Sequence, residues 1–85
     1  MKHATAAVLD TIEPLLDQIR TRTALREKSR GIFYYRGKAW LHFHEDPAGL
    51  FADLREGADF SRLAADSDAQ RRDLLDRLDR SLPPA

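Results

Sequence analysis

The sequence predicts an α+β fold: an N-terminal helix, a three-stranded antiparallel meander with room for a short fourth strand, and a C-terminal helix. Three observations carry that expectation. Apolar residues recur at helical spacing near the start, the period changes to alternation over residues 31–55, and a capping signal opens a leucine stripe near the end.

Val8, Leu9, Ile12, Leu15, Leu16 and Ile19 follow at spacings of three and four, which lines them along one helix face and leaves Asp10, Glu13 and Asp17 outside. Pro14 removes a backbone hydrogen bond inside that stripe, at a cost of about 3 kcal/mol in a straight helix. The apolar phase runs through it unbroken, so one kinked helix is expected from about Thr5 to about Arg20. Residues 1–4 and 83–85 should fray. Thr21 to Arg30 carries no apolar stripe and reads as a basic connection.

From Gly31 to Arg55, β-branched and aromatic residues concentrate in Ile32, Phe33, Tyr34, Tyr35, Trp40, Leu41, Phe43 and Phe51. Gly37-Lys38 suits a type II′ turn, which would pair Arg36 with Ala39, Tyr34 with Leu41 and Phe33 with His42. Asp46-Pro47-Ala48-Gly49 has the residues of a type I turn. Leu50, Ala52 and Leu54 then join Leu41, Phe43, Ile32 and Tyr34 on the core face, through a four-residue loop or a bulge near Gly49. Phe60, Leu63 and Ala64 suit a short edge strand or a single turn.

Ser67-Asp68-Ala69-Gln70 offers a capping box for a last helix with Leu74, Leu75, Leu78 and Leu82 as its stripe, ended by Pro83-Pro84. The most buried positions should be Ile12, Leu16, Ile19, Leu41, Phe43, Leu54, Leu75 and Leu78. The stretch from Gly31 to Arg55, with its run Phe-Tyr-Tyr-Arg-Gly-Lys-Ala-Trp-Leu-His-Phe-His-Glu-Asp at residues 33–46, resembles small bacterial proteins of the YdhG-like and MmcQ/YjbR-like kind. That resemblance covers under a third of the chain and implies a helix, a meander and a closing helix. It carries no activity with it.

The 85 residues are expected to form a single domain, and the absence of cysteine excludes a disulfide framework, a zinc–thiolate site and a cysteine nucleophile. A chain this short buries only about 60–65% of its unfolded surface, so its core must be economical or shared with a partner. No stretch has the length and apolarity of a signal peptide or a membrane span, and a cytoplasmic location without membrane contact is expected. The net charge of zero is unevenly spread: residues 1–19 carry −2, residues 20–38 carry +6 and the remainder −4.

With the register above, the second sheet face displays Phe33, Tyr35, Trp40, His42, His44, Phe51 and Asp53, where lysines, glutamates and threonines are usual. Such a contiguous aromatic set marks an interface or a ligand groove. The favoured reading is therefore a protein-interaction or self-associating module, with a homodimer as its simplest form. Nucleic-acid binding through the basic band at residues 20–38 and the sheet aromatics is the first alternative. A small enzyme or ligand-binding protein using His42 and His44 is the second, though glycine-rich phosphate loops, nucleophile elbows and dinucleotide fingerprints are all missing from the sequence. His42 and His44 point the same way, with Glu45, Asp46 and Asp53 nearby, but no third ligand stands at diagnostic spacing. No cofactor and no tight metal site are expected.

Overall fold

The computed structural model describes residues 2–84; the expected fraying at Met1 and Ala85 lies outside the described residues. Nine elements follow in order: β1 (Lys2–His3), α1 (Ala6–Thr11), α2 (Glu13–Arg20), β2 (Leu25–Ser29), β3 (Ile32–Tyr35), β4 (Lys38–Asp46), β5 (Gly49–Glu56), β6 (Asp59–Ala64) and α3 (Asp68–Ser81). The α+β class stands, with more strands than expected. The sheet is antiparallel in the order β2-β3-β4-β5-β6, and β1 pairs with β4 beyond the end of β3.

The kink at Pro14 becomes a full break. Thr5 caps α1 by accepting the Val8 amide, Ile12 leaves helical geometry at φ −117°, ψ 20°, and Pro14 sits in the first turn of α2, where its missing N–H costs nothing. Ile12 remains almost wholly enclosed, so the apolar stripe survives the break in the backbone. At the other end, Ser67 accepts the Gln70 amide at 3.1 Å and Gln70 Oε1 accepts the Ser67 amide at 3.1 Å, completing the expected capping box.

Two segments depart from expectation by becoming strands. Residues 21–30 hold β2, whose alternation sets Leu25 and Glu27 on the helix side and Arg26 and Lys28 on the other. The inward Glu27 is satisfied by Arg20 of α2, with Nε–Oε1 at 2.6 Å and Nη2–Oε2 at 3.0 Å. Lys2 and His3, placed in the expected frayed segment, pair with Glu45 and His44. Gly31 closes the β2–β3 hairpin at φ 79°, and a Cβ there would meet Leu9 Cδ2 at 2.9 Å. Its left-handed conformation favours glycine, and any side chain there would have to push the end of Leu9 aside.

The β3–β4 register also differs. The turn is Arg36-Gly37, both at positive φ (48° and 80°), which is the type I′ pattern. Tyr35 pairs with Lys38 and Tyr34 with Ala39, but Phe33 pairs with Leu41, so Trp40 is an extra residue bulged out of the ladder. The shifted turn alone would keep the expected facing, and the bulge reverses it. Phe33 therefore faces the helices at 1% exposure, while Ile32 and Tyr34, expected in the core, face the other way. The faces of β4 and β5 agree with expectation, Leu41 opposite Leu54 and Phe43 opposite Ala52, but the four-residue loop or bulge expected near Gly49 is replaced by a two-residue Pro47-Ala48 tip, which gives the same parity.

One apolar cluster joins Leu9, Ile12, Leu16, Ile19, Leu74 and Leu78 of the helices to Phe33, Leu41, Phe43, Ala52 and Leu54 of the sheet. All three helices thus cover a single sheet face. Leu75 is only partly buried and Leu74 takes the deep position expected for it.

Replacing Phe43, 2% exposed, with alanine should cost about 3–5 kcal/mol in chemical denaturation. The Arg20 hydrogen bonds, opposed by partial burial, hold the Glu27 carboxyl below its ordinary 4.5. That stabilisation is present above pH 4.5 and fades as the pH falls through the lowered value, so Glu27→Gln should weaken the protein at neutral pH and flatten the acid side of its stability profile. Arg36 occupies left-handed backbone that costs an ordinary residue roughly 1 kcal/mol, so Arg36→Asn should raise the melting temperature.

Candidate functional site

The sheet face away from the helices is the uncovered surface of the domain. Alternation on β4 turns His42 and His44 to this face, and register sets Phe51 opposite His44, Asp53 opposite His42 and Arg62 opposite Asp53. Three strands therefore meet at one point. His42 Nδ1 and His44 Nε2 lie 2.6 Å apart, and Asp53 Oδ2 lies 3.3 Å from His44 Nε2 and 3.9 Å from His42 Nδ1. His3 stacks on His44 with ring centroids 4.8 Å apart, and Phe60 tilts against His42 at 5.2 Å.

Asp53 is 7% exposed, and Arg62 satisfies it with two parallel bonds, Nε–Oδ1 at 2.8 Å and Nη2–Oδ2 at 2.9 Å. Those hydrogen bonds, partly offset by burial, hold its carboxyl below the usual aspartate range. Burial pushes both imidazoles below their ordinary 6.5; for His42 the neighbouring His44 adds to the shift, while the Asp53 charge opposes it for both rings. At 2.6 Å the two facing nitrogens have room for one proton between them. His44 Nδ1 is buried without a hydrogen-bond partner among the described residues.

The seven residues expected on one face are divided between two. His42, His44, Phe51 and Asp53 share the uncovered face. Phe33 belongs to the core, and Tyr35 and Trp40 lean on the core from the helix side, 5.0 Å apart, with Trp40 Nε1 donating to Ser81 Oγ at 3.1 Å. The bulge at Trp40 is the reason. Sequence reasoning missed Arg62, Phe60 and His3. The two on β6 alternate as Phe60-x-Arg62, a signal in a segment expected to be a strand or a turn, whereas nothing in two terminal residues announces a strand.

A second feature lies at the β2–β3–β4 corner. Within the basic band, Arg20 pairs with Glu13, Asp17 and Glu27, Arg22 with Asp79, and Arg30 with Asp10 and Glu13, all against helix carboxylates or the inward Glu27. Arg26, Lys28, Arg36 and Lys38 are exposed and have no ion pair among the described residues. Aromatic rings stand beside them: Lys28 Nζ lies 4.2 Å from the Tyr34 ring centre and the Arg36 guanidinium 5.4 Å from that of Tyr35. A cleft of about 360 Å³ opens here between Tyr35, Arg36, Lys38, Trp40 and the Pro83-Pro84 tail.

No protein-family model, curated protein or solved structure matches the chain. The two sites rest on their own geometry.

Arg62 is half exposed, whereas Asp53 is enclosed. Taking away the arginine strands a buried charge, and taking away the aspartate returns an arginine to water. Arg62→Met should therefore lower the denaturation midpoint more than Asp53→Asn does, as read by urea unfolding of both variants beside the wild type.

Proposed function

We propose that the protein is a binding module for single-stranded nucleic acid, engaged at the β2–β3–β4 corner. The observation that carries this reading is the sorting of charge within the basic band. Arg20, Arg22 and Arg30 are consumed by helix carboxylates and Glu27, while Arg26, Lys28, Arg36 and Lys38 have no ion pair among the described residues and stand beside Tyr34 and the Tyr35–Trp40 cleft. Cations that track a phosphate backbone, interleaved with rings on which bases stack, are the chemistry of sequence-tolerant single-strand binding.

The backbone at Arg36 supports the same reading. A type I′ turn favours Asn-Gly, and Arg36 holds its first central position at φ 48° against that preference. The side chain earns a position that the backbone would give to asparagine.

Self-association through the uncovered face, the reading the sequence favoured, loses three of its aromatics to the helix side. It keeps one specific support: Phe60, 41% exposed, lies beside His42 and under the Arg55 guanidinium at 4.7 Å.

Fluorescence anisotropy with a labelled mixed-sequence single-stranded oligonucleotide tests the proposal. Four phosphate contacts should give a slope of log K on log salt of about −3, with dissociation constants of roughly 10⁻⁴–10⁻⁶ M at physiological salt. Arg36→Asn and Lys38→Ala should each weaken binding and shrink the slope by about 0.7, even though the first stabilises the fold. Binding unchanged by both substitutions, or none in low salt at high protein concentration, would overturn the proposal. A mass that doubles with concentration while the oligonucleotide is ignored would favour the self-association reading in its place.

A further inference from the structure

We propose that His42, His44 and Asp53 form a binding site for a divalent transition-metal ion, with zinc the best-fitting member of that class. The site stands apart from the corner discussed above and does not rest on the nucleic-acid reading. Three donor atoms converge from two adjacent strands: His42 Nδ1, His44 Nε2 and Asp53 Oδ2, separated by 2.6, 3.3 and 3.9 Å. Zinc bonds of about 2.0–2.1 Å in a tetrahedron set neighbouring ligand atoms about 3.3 Å apart. The triangle has that mean edge. Small rotations of the two rings, which widen the shortest side and shorten the longest, complete the fit.

The arrangement is built by the fold and not by a mobile loop. His42 and His44 project from the central strand β4, which is paired on both sides, and Asp53 stands directly across from His42 on β5. Ligands carried on paired strands reach a metal with little ordering cost. The third ligand missing from the sequence pattern is supplied by register.

Asp53 is free to coordinate despite its pairing with Arg62. An ionised carboxylate has about four acceptor positions, and the two parallel bonds from Arg62 occupy one on each oxygen. Arg62 then acts as the outer partner that orients a ligating carboxylate. The unpartnered His44 Nδ1 also fits. With the metal on Nε2, the ring proton sits on Nδ1, and His44 is the residue that faces the Lys2–His3 backbone of β1. Two imidazoles with one carboxylate select zinc, cobalt or nickel over calcium or magnesium, which demand oxygen. The fourth coordination position faces the uncovered side of the sheet and takes water.

The test uses the full chain stripped with chelator and titrated with zinc and with cobalt. The expected results are one equivalent bound, a melting temperature that rises with zinc concentration, and the intense visible absorption of tetrahedral cobalt. Histidine ring nitrogen spectra of the wild type should locate zinc on His42 Nδ1 and His44 Nε2, a readout that needs no variant. His42→Ala, His44→Ala and Asp53→Asn should each weaken binding by more than the 10–100-fold typical of losing an outer partner. His3→Ala should retain the one-to-one complex. No saturable binding, zinc on other ring nitrogens, or binding lost in His3→Ala yet kept in folded His42→Ala would each overturn the proposal.

Discussion

The single extra residue in β4 governs the rest of the structure. A hairpin ladder running straight from the Arg36-Gly37 turn would carry its parity unchanged to the far end of the strand. The bulge at Trp40 resets that parity halfway, so the strand serves two surfaces. Near the turn, Tyr35 and Trp40 support the end of α3; beyond the bulge, Leu41 and Phe43 fill the core and His42 and His44 face outward. The aromatic wall of the cationic corner is a consequence of that switch, whereas the histidine cluster is set by the β4–β5 register and the switch keeps Phe33 away from it. The cationic corner lies on the turn side of it, and the histidine cluster on the other.

Charge is divided by the same layering. On the helix side, arginines act as clamps between elements: Arg20 ties α2 to β2 through Glu27, Arg22 ties the end of α2 to α3 through Asp79, and Arg77 ties α3 to β5 through Glu56 at 2.6 Å. These partners are partly exposed, so each clamp contributes modestly and their common role is to fix how the helices sit on the sheet. A chain of net charge zero can in this way leave a locally basic corner. Asp10, Glu13, Asp17 and Asp79, among the acids that balance the sum, are paired on the helix layer.

Legibility in the sequence followed the strength of local signals. The apolar stripe through Pro14, the Ser67 capping box and the core face of Leu41, Phe43, Ala52 and Leu54 were readable because each is set by the spacing of residues within one element, whereas the full break at Pro14 and the two-residue Pro47-Ala48 tip were not. Strand β2 was hidden because its inward position carries Glu27, a charge that is acceptable there only in the company of Arg20. The parity of β3 was hidden because nothing local announces the bulge at Trp40; moving the turn from Gly37-Lys38 to Arg36-Gly37 by itself leaves the facing unchanged. At the candidate sites, the shared direction of His42 and His44 was legible from their spacing. The convergence of Asp53 on both rings followed from the β4–β5 register, while the grip of Arg62 on that carboxylate needed the further register of β6.

The most direct measurement of this account is the set of inter-strand backbone proton contacts between β3 and β4 in solution. The account predicts contacts between Phe33 and Leu41 and between Tyr34 and Ala39, with Trp40 left out of the ladder. A continuous ladder that puts Tyr34 opposite Leu41 and Phe33 opposite His42 would contradict it, because Phe33 would then stand on the histidine face and the division of the two surfaces would be lost.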